Sequence, residues 1–201
     1  MMNNKQTYLD WGFALKWTVA CALGTTMFGL LAYLSMWTIG EAIGSLSSEL
    51  LGTMVAGLLF GALFALGGTL GPGWLLQSKG ISAKRWIGNS LLVTAVVMSG
   101  GVALISTLAE SVSEPVSALF LGLVLGLPMG MVQWHLLRQQ RLPAAQWLLI
   151  NILAYLFASA VMVFLSGAGR EWIIVLMGLM VGATTGLGMM WQLRRETAVA
   201  I

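Results

Sequence analysis

Apolar residues run in six long stretches along the chain, at about 13–37, 50–70, 86–108, 116–137, 147–166 and 172–191, with short polar segments between them. Each stretch reaches roughly the 20 residues that a ~30 Å hydrocarbon layer demands of a helix rising ~1.5 Å per residue. No stretch alternates apolar and polar residues with period two, so the pattern does not predict a transmembrane barrel. Backbone N–H and C=O groups in lipid must be satisfied within the segment, which makes each stretch a helix. The expected fold class is all-α, a polytopic membrane protein forming a single integral membrane domain over 1–201.

The polar segments sort by charge. Those before the first stretch and after the second, fourth and sixth carry Lys5, Lys16, Lys79, Lys84, Arg85, Arg138, Arg141, Arg194 and Arg195. The other three carry Glu41, Glu49, Glu110, Glu114 and Glu171, with Arg170 as their basic residue. Lys and Arg in short loops stay on the cytoplasmic side, so both termini are expected there. Composition agrees: 58% of residues are hydrophobic and 8% charged, against about 25% charged in a soluble domain. The net charge of +3 does not point to nucleic acid, because the basic residues sit at helix ends, where membrane orientation requires them.

The odd stretches begin with Trp after a charged or polar residue, in Asp10-Trp11, Arg85-Trp86 and Gln146-Trp147. The even ones are rich in Gly and end in Trp74-Leu75-Leu76-Gln77, Gln133-Trp134-His135-Leu136-Leu137-Arg138 and Trp191-Gln192-Leu193-Arg194-Arg195. This predicts three tandem, parallel helical hairpins at about 11–77, 86–138 and 147–195. Inverted repeats need an odd number of helices per unit, so two-helix units lower the case for an alternating-access transporter. Gly122, Gly126 and Gly130 share one face of the fourth helix, and Gly178, Gly182 and Gly186 one face of the sixth. Gly57, Gly61 and Ala65 make a shorter ladder on the second. Such faces let backbones approach closely, which is what holds helices together in lipid. Helices two, four and six are therefore expected at the centre of the bundle, and the same faces could also serve a partner subunit or a second copy. Gly71-Pro72-Gly73 is expected to end the second helix before Trp74, and Pro128 to kink the fourth.

Candidate ligand or lipid contacts are the polar and aromatic residues at the cytoplasmic ends. Asn89 and Asn151, opposite Gln77, Gln133 and Gln192, suggest interhelical amide bonds or a polar ring around a ligand headgroup. A pocket for an apolar ligand would lie beside Pro128, Asn89 and Asn151. Trp134 with Arg138 and Trp191 with Arg195 are four apart, placing each guanidinium over an indole near the lipid phosphates. His135 is the single histidine and Cys21 the single cysteine, so no metal cluster or intrachain disulfide is expected. Thr18-Val19-Ala20 ahead of Cys21 resembles a lipoprotein cleavage site, but Lys16 interrupts the signal's apolar region and the apolar run continues past Cys21. A retained first helix with a buried thiol is expected. No carboxylate lies deep in a stretch and no acid is placed to orient His135, so neither ion-coupled pumping nor hydrolysis is expected.

The Gln133-Trp134-His135-Leu136-Leu137-Arg138 segment, followed by Ala145-Gln146-Trp147 and an Asn-containing helix, resembles a group of small multi-pass membrane proteins. That group is frequent in cyanobacteria and related bacteria and carries repeated Gln-Trp-x-x-Leu-Arg helix ends. The first repeat departs from it, since Trp74-Leu75-Leu76-Gln77 lacks the arginine. The resemblance implies a bacterial cytoplasmic or thylakoid membrane and no particular chemistry, so the cofactor, if any, stays unknown. The expected function is that of a non-enzymatic accessory subunit, scaffold or membrane sensor. The alternative is a binding or permeation component for an apolar or amphipathic small molecule such as a vitamin, pigment or lipid. A scaffold should lack a solvent-sized cavity; a binder should have one.

Overall fold

The computed structural model describes residues 10–108, 111–139, 145–165 and 170–199. All regular structure among them is helical: α1 (Trp11–Leu46), α2 (Glu49–Gln77), α3 (Ala83–Leu108), α4 (Glu114–Gln139), α5 (Ala145–Phe164) and α6 (Arg170–Val199). All six are long and apolar enough to cross a membrane. The shortest, α5, has 20 residues and spans about 30 Å; α1 has 36 and spans about 54 Å, so it overruns a hydrocarbon layer by several turns.

Local chemistry sets the boundaries. Asp10 caps α1 by accepting from the Phe13 N–H at 2.9 Å, and Ser48 caps α2 by accepting from Leu51 at 3.2 Å. After α2 the chain turns through Gly80 at φ +79°, a left-handed conformation that glycine adopts without strain. There the Ile81 N–H returns to the Leu76 carbonyl at 3.1 Å, and Gly80 donates to Gln77. Gly71-Pro72-Gly73 does not end α2: the helix continues through Pro72 to Gln77, with Pro72 and Gly73 both buried. Tertiary packing on both sides of that segment overrides the helix-breaking tendency. α4 likewise runs through Pro128.

Each helix packs against its neighbours in sequence, and α6 returns to α1, so the bundle is a closed ring. The even helices do not gather at the centre as expected. Among the described residues no extensive packing joins α2, α4 and α6 to one another. Their glycine faces instead take the odd helix that follows. A methyl group at Gly57 or Gly61 would come within 2.7 Å of α3, against the Met98 and Thr94 carbonyls. One at Gly122, Gly126 or Gly130 would meet Ser159, Tyr155, Asn151 and Leu148 of α5. One at Gly178, Gly182 or Gly186 would meet Thr25, Cys21, Thr18 and Trp17 of α1. α1 and α2 approach as closely elsewhere, where a methyl at Gly24 would fall on the Gly67 carbonyl.

The ring is apolar outside and mixed inside. Leu15, Leu23, Leu92, Val96, Leu123, Leu149, Leu153 and Phe157 point outward. In water they would form an aggregating surface; in lipid they match the solvent. Inward positions carry Thr25, Thr69, Ser90, Thr94, Gln133, Asn151, Ser159, Thr185 and Gln192, all buried and all uncharged.

Candidate functional site

Three inward stripes on the odd helices build the interior, each with residues four apart: Trp17-Cys21-Thr25 on α1, Trp86-Ser90-Thr94-Met98 on α3, and Trp147-Asn151-Tyr155-Ser159 on α5. Every one of these residues is buried. Their leading tryptophans meet one another. Ring centroids lie 6.3 Å apart for Trp17 and Trp86, 6.2 Å for Trp17 and Trp147, and 5.9 Å for Trp86 and Trp147, in edge-on or tilted pairs that suit the indole quadrupoles. Phe13, Leu76, Ile81, Leu137 and Met189 pack around them. This plug closes the end of the ring that carries Lys16, Lys79, Lys84, Arg85 and Arg138, hereafter the basic end.

Hydrogen bonds lock two of the three indoles to the helix behind. Trp17 Nε1 donates to Thr185 Oγ1 of α6 at 3.0 Å, and Trp147 Nε1 donates to Gln133 Oε1 of α4 at 3.0 Å. Gln133 also donates through Nε2 to Ser90 Oγ at 3.2 Å, linking α3, α4 and α5. Asn151 bonds its own helix, donating to the Trp147 carbonyl at 3.0 Å. Above the plug, the Tyr155 hydroxyl donates to Met129 Sδ at 3.2 Å.

Towards the opposite end, where Glu41 and Glu49 lie, the ring widens into a partly open cavity of about 350 Å³. Gly29 and Tyr33 of α1, Phe60 and Phe64 of α2, and Ala118, Leu121 and Leu125 of α4 line it. Met162 and Val163 of α5 and Ile173, Ile174 and Met177 of α6 complete the wall. Phe60 and Phe64 stack 5.6 Å apart with planes at 12°, giving one side a flat aromatic surface. Among the described residues no lining side chain is charged, and Tyr33 supplies the one side-chain hydroxyl. Such a site favours a neutral, largely apolar molecule, because a buried charge would find no partner.

The structure gathers only some of the residues singled out in the sequence. Gln133 and Asn151 join the plug network, but Asn89 is exposed on the outer face and Ser90 takes the inward place. Gln77 is also exposed, so no amide ring forms around Gln77 and Asn89. Gln192 is fully buried, with neither polar atom of its amide bonded within the protein. Pro128 is half-buried and does not line the cavity, which lies nearer the other end of the bundle. Arg138 sits over the Trp134 ring at 5.7 Å, the cation–π pair expected from the spacing. Trp191 is half-buried, and the Arg195 side chain lies outside the described residues. His135 is exposed, with Nε2 3.0 Å from Gln139 Nε2, and no metal-holding cluster occurs among the described residues.

Trp17 is the third plug residue, a place the sequence pattern assigns to Trp11. The pattern of leading tryptophans aligns Trp11 with Trp86 and Trp147, yet Trp11 is 62% exposed and Trp17 2%. The signal was present: Lys16-Trp17 matches Arg85-Trp86, and the residues four and eight further on are inward in all three odd helices.

The fold and its interior define an all-helical chain whose six apolar helices are compatible with an integral membrane protein. No protein-family model, curated protein or solved structure matches it.

Proposed function

We propose that the chain is a non-enzymatic, multi-pass protein of a bacterial cytoplasmic or thylakoid membrane that binds a neutral, largely apolar small molecule in the cavity opposite the tryptophan plug. The cavity carries this reading. At about 350 Å³ it falls within the range of small-molecule sites, and its wall is hydrocarbon, thioether and aromatic. The charge distribution orients the plug to the cytoplasm, so the ligand enters from the outer half of the bilayer.

Two observations weigh against the scaffold reading. A scaffold needs no cavity of this size. The glycine faces that could have taken a partner subunit are covered by α3, α5 and α1 of the same chain. The even-to-odd packing, repeated three times around the ring, supports an origin by tandem repetition of a two-helix unit.

Organic extraction of protein purified gently from its own membrane tests the proposal. One neutral apolar compound, close to equimolar with the 21.5 kDa chain, is expected. An extract containing only bulk lipid in variable amounts contradicts it.

A further inference from the structure

The plug has a threefold pattern with one spoke that the protein does not complete. Gly130 and Gly182 hold the same place relative to their tryptophans: a methyl at Gly130 would meet Asn151 and Leu148, and one at Gly182 would meet Cys21 and Thr18. In each case these lie four and one residues past Trp147 or Trp17. Gly61 and Gly122 correspond in the same way. A methyl at Gly61 would meet Met98 and Thr94 and one at Gly122 Ser159 and Tyr155, twelve and eight residues past Trp86 or Trp147. Counting along the helices from these anchors aligns Thr185, Gln133 and Pro72. The first two accept from Trp17 and Trp147. Proline has no side-chain acceptor, and Trp86 Nε1 is buried without a partner in the protein.

Pro72 leaves a second unmet group. It has no N–H, so the Gly68 carbonyl one turn back loses its helical donor. The Cys21 thiol, a weak donor, lies 3.6 Å from that carbonyl. Trp86 and Gly68 both line a void of about 10 Å³ at the centre of the ring, together with Gln133, Asn151, Tyr155 and Thr185. That is about the space of one water, and a buried water needs two to four polar partners.

We propose that this void is a water-binding site: one water accepts from Trp86 Nε1 and donates to the Gly68 carbonyl. The water does for Trp86 what Thr185 and Gln133 do for the other two indoles, and it links α3 to α2 as those residues link α1 to α6 and α5 to α4. The site is distinct from the apolar cavity, and the inference stands whether or not that cavity holds a ligand.

An experimental structure of the full chain in lipid, at a resolution that shows ordered waters, tests this. The expected result is one solvent peak within about 3.2 Å of both Trp86 Nε1 and the Gly68 oxygen. A void without such a peak, or a Trp86 indole donating directly to a protein acceptor, overturns the proposal.

Discussion

At the scale of single residues, direction matters more than polarity. Asn89 and Asn151 stand three and four residues after their tryptophans, a difference of one position that turns one outward and the other into the plug. Asn89→Leu should leave thermal stability in detergent unchanged or raise it, because an outward amide gains nothing from lipid. Asn151→Leu should lower it. Equal losses in a melting experiment would contradict the assignment. Trp147→Phe should be costlier than its area suggests: it strips the donor from buried Gln133 Oε1, and an unsatisfied buried acceptor costs about 1–3 kcal/mol. A clear fall in melting temperature is expected; no change would mean that the bond contributes nothing. The types of residue that build the interior were legible in the sequence, but helical direction only through neighbours four and eight residues away. Interface tryptophans such as Trp11 look like core tryptophans such as Trp17 until neighbours at four-residue spacing are compared.

At the scale of helices, the apolar stretches located all six elements, since length and hydropathy are set by the bilayer and not by tertiary contacts. The glycines of the ladders lie close to a neighbouring helix, but the ladders misled about where those faces point. Spacing by four reports that a backbone comes near; it does not report which helix brings it, and here the neighbour is the next odd helix. The breaker reading of Gly71-Pro72-Gly73 failed for a related reason. Pro72 and Gly73 are buried in the packed ring, where neighbouring helices hold the segment helical. Substitution separates the two kinds of glycine. Gly182→Leu should destroy the α6–α1 contact, where even a methyl would lie 2.7 Å from Cys21 Cβ, and monodisperse protein should be lost on gel filtration. Gly88→Ala meets nothing within 4 Å and removes a helix-weakening glycine, so stability should hold or rise by up to about 1 kcal/mol. A Gly182→Leu protein eluting like the unaltered chain would sink the packing account.

At the scale of the whole molecule, the ring is closed at one end by three tryptophans and hollow at the other. Sequence patterning could not place the hollow, because a cavity is what remains when six faces fail to meet. None of its lining residues is distinctive alone. The closed end has a consequence for the single thiol. Cys21 is 2% exposed between plug and cavity, so a membrane-impermeant maleimide should leave it unmodified in the folded protein and label it fully in denaturant. Rapid labelling of folded protein would show a water path from one end of the ring to Cys21 and contradict the closed interior. Occupancy of the cavity by a neutral apolar molecule is the proposal on which the functional reading depends. Native mass spectrometry of the unaltered chain beside Ala118→Trp, which fills the cavity from α4, tests it most directly. A small stoichiometric adduct on the unaltered chain that disappears in Ala118→Trp, with both proteins folded, is the predicted result. A bare chain, or an adduct that survives the substitution, would contradict the account.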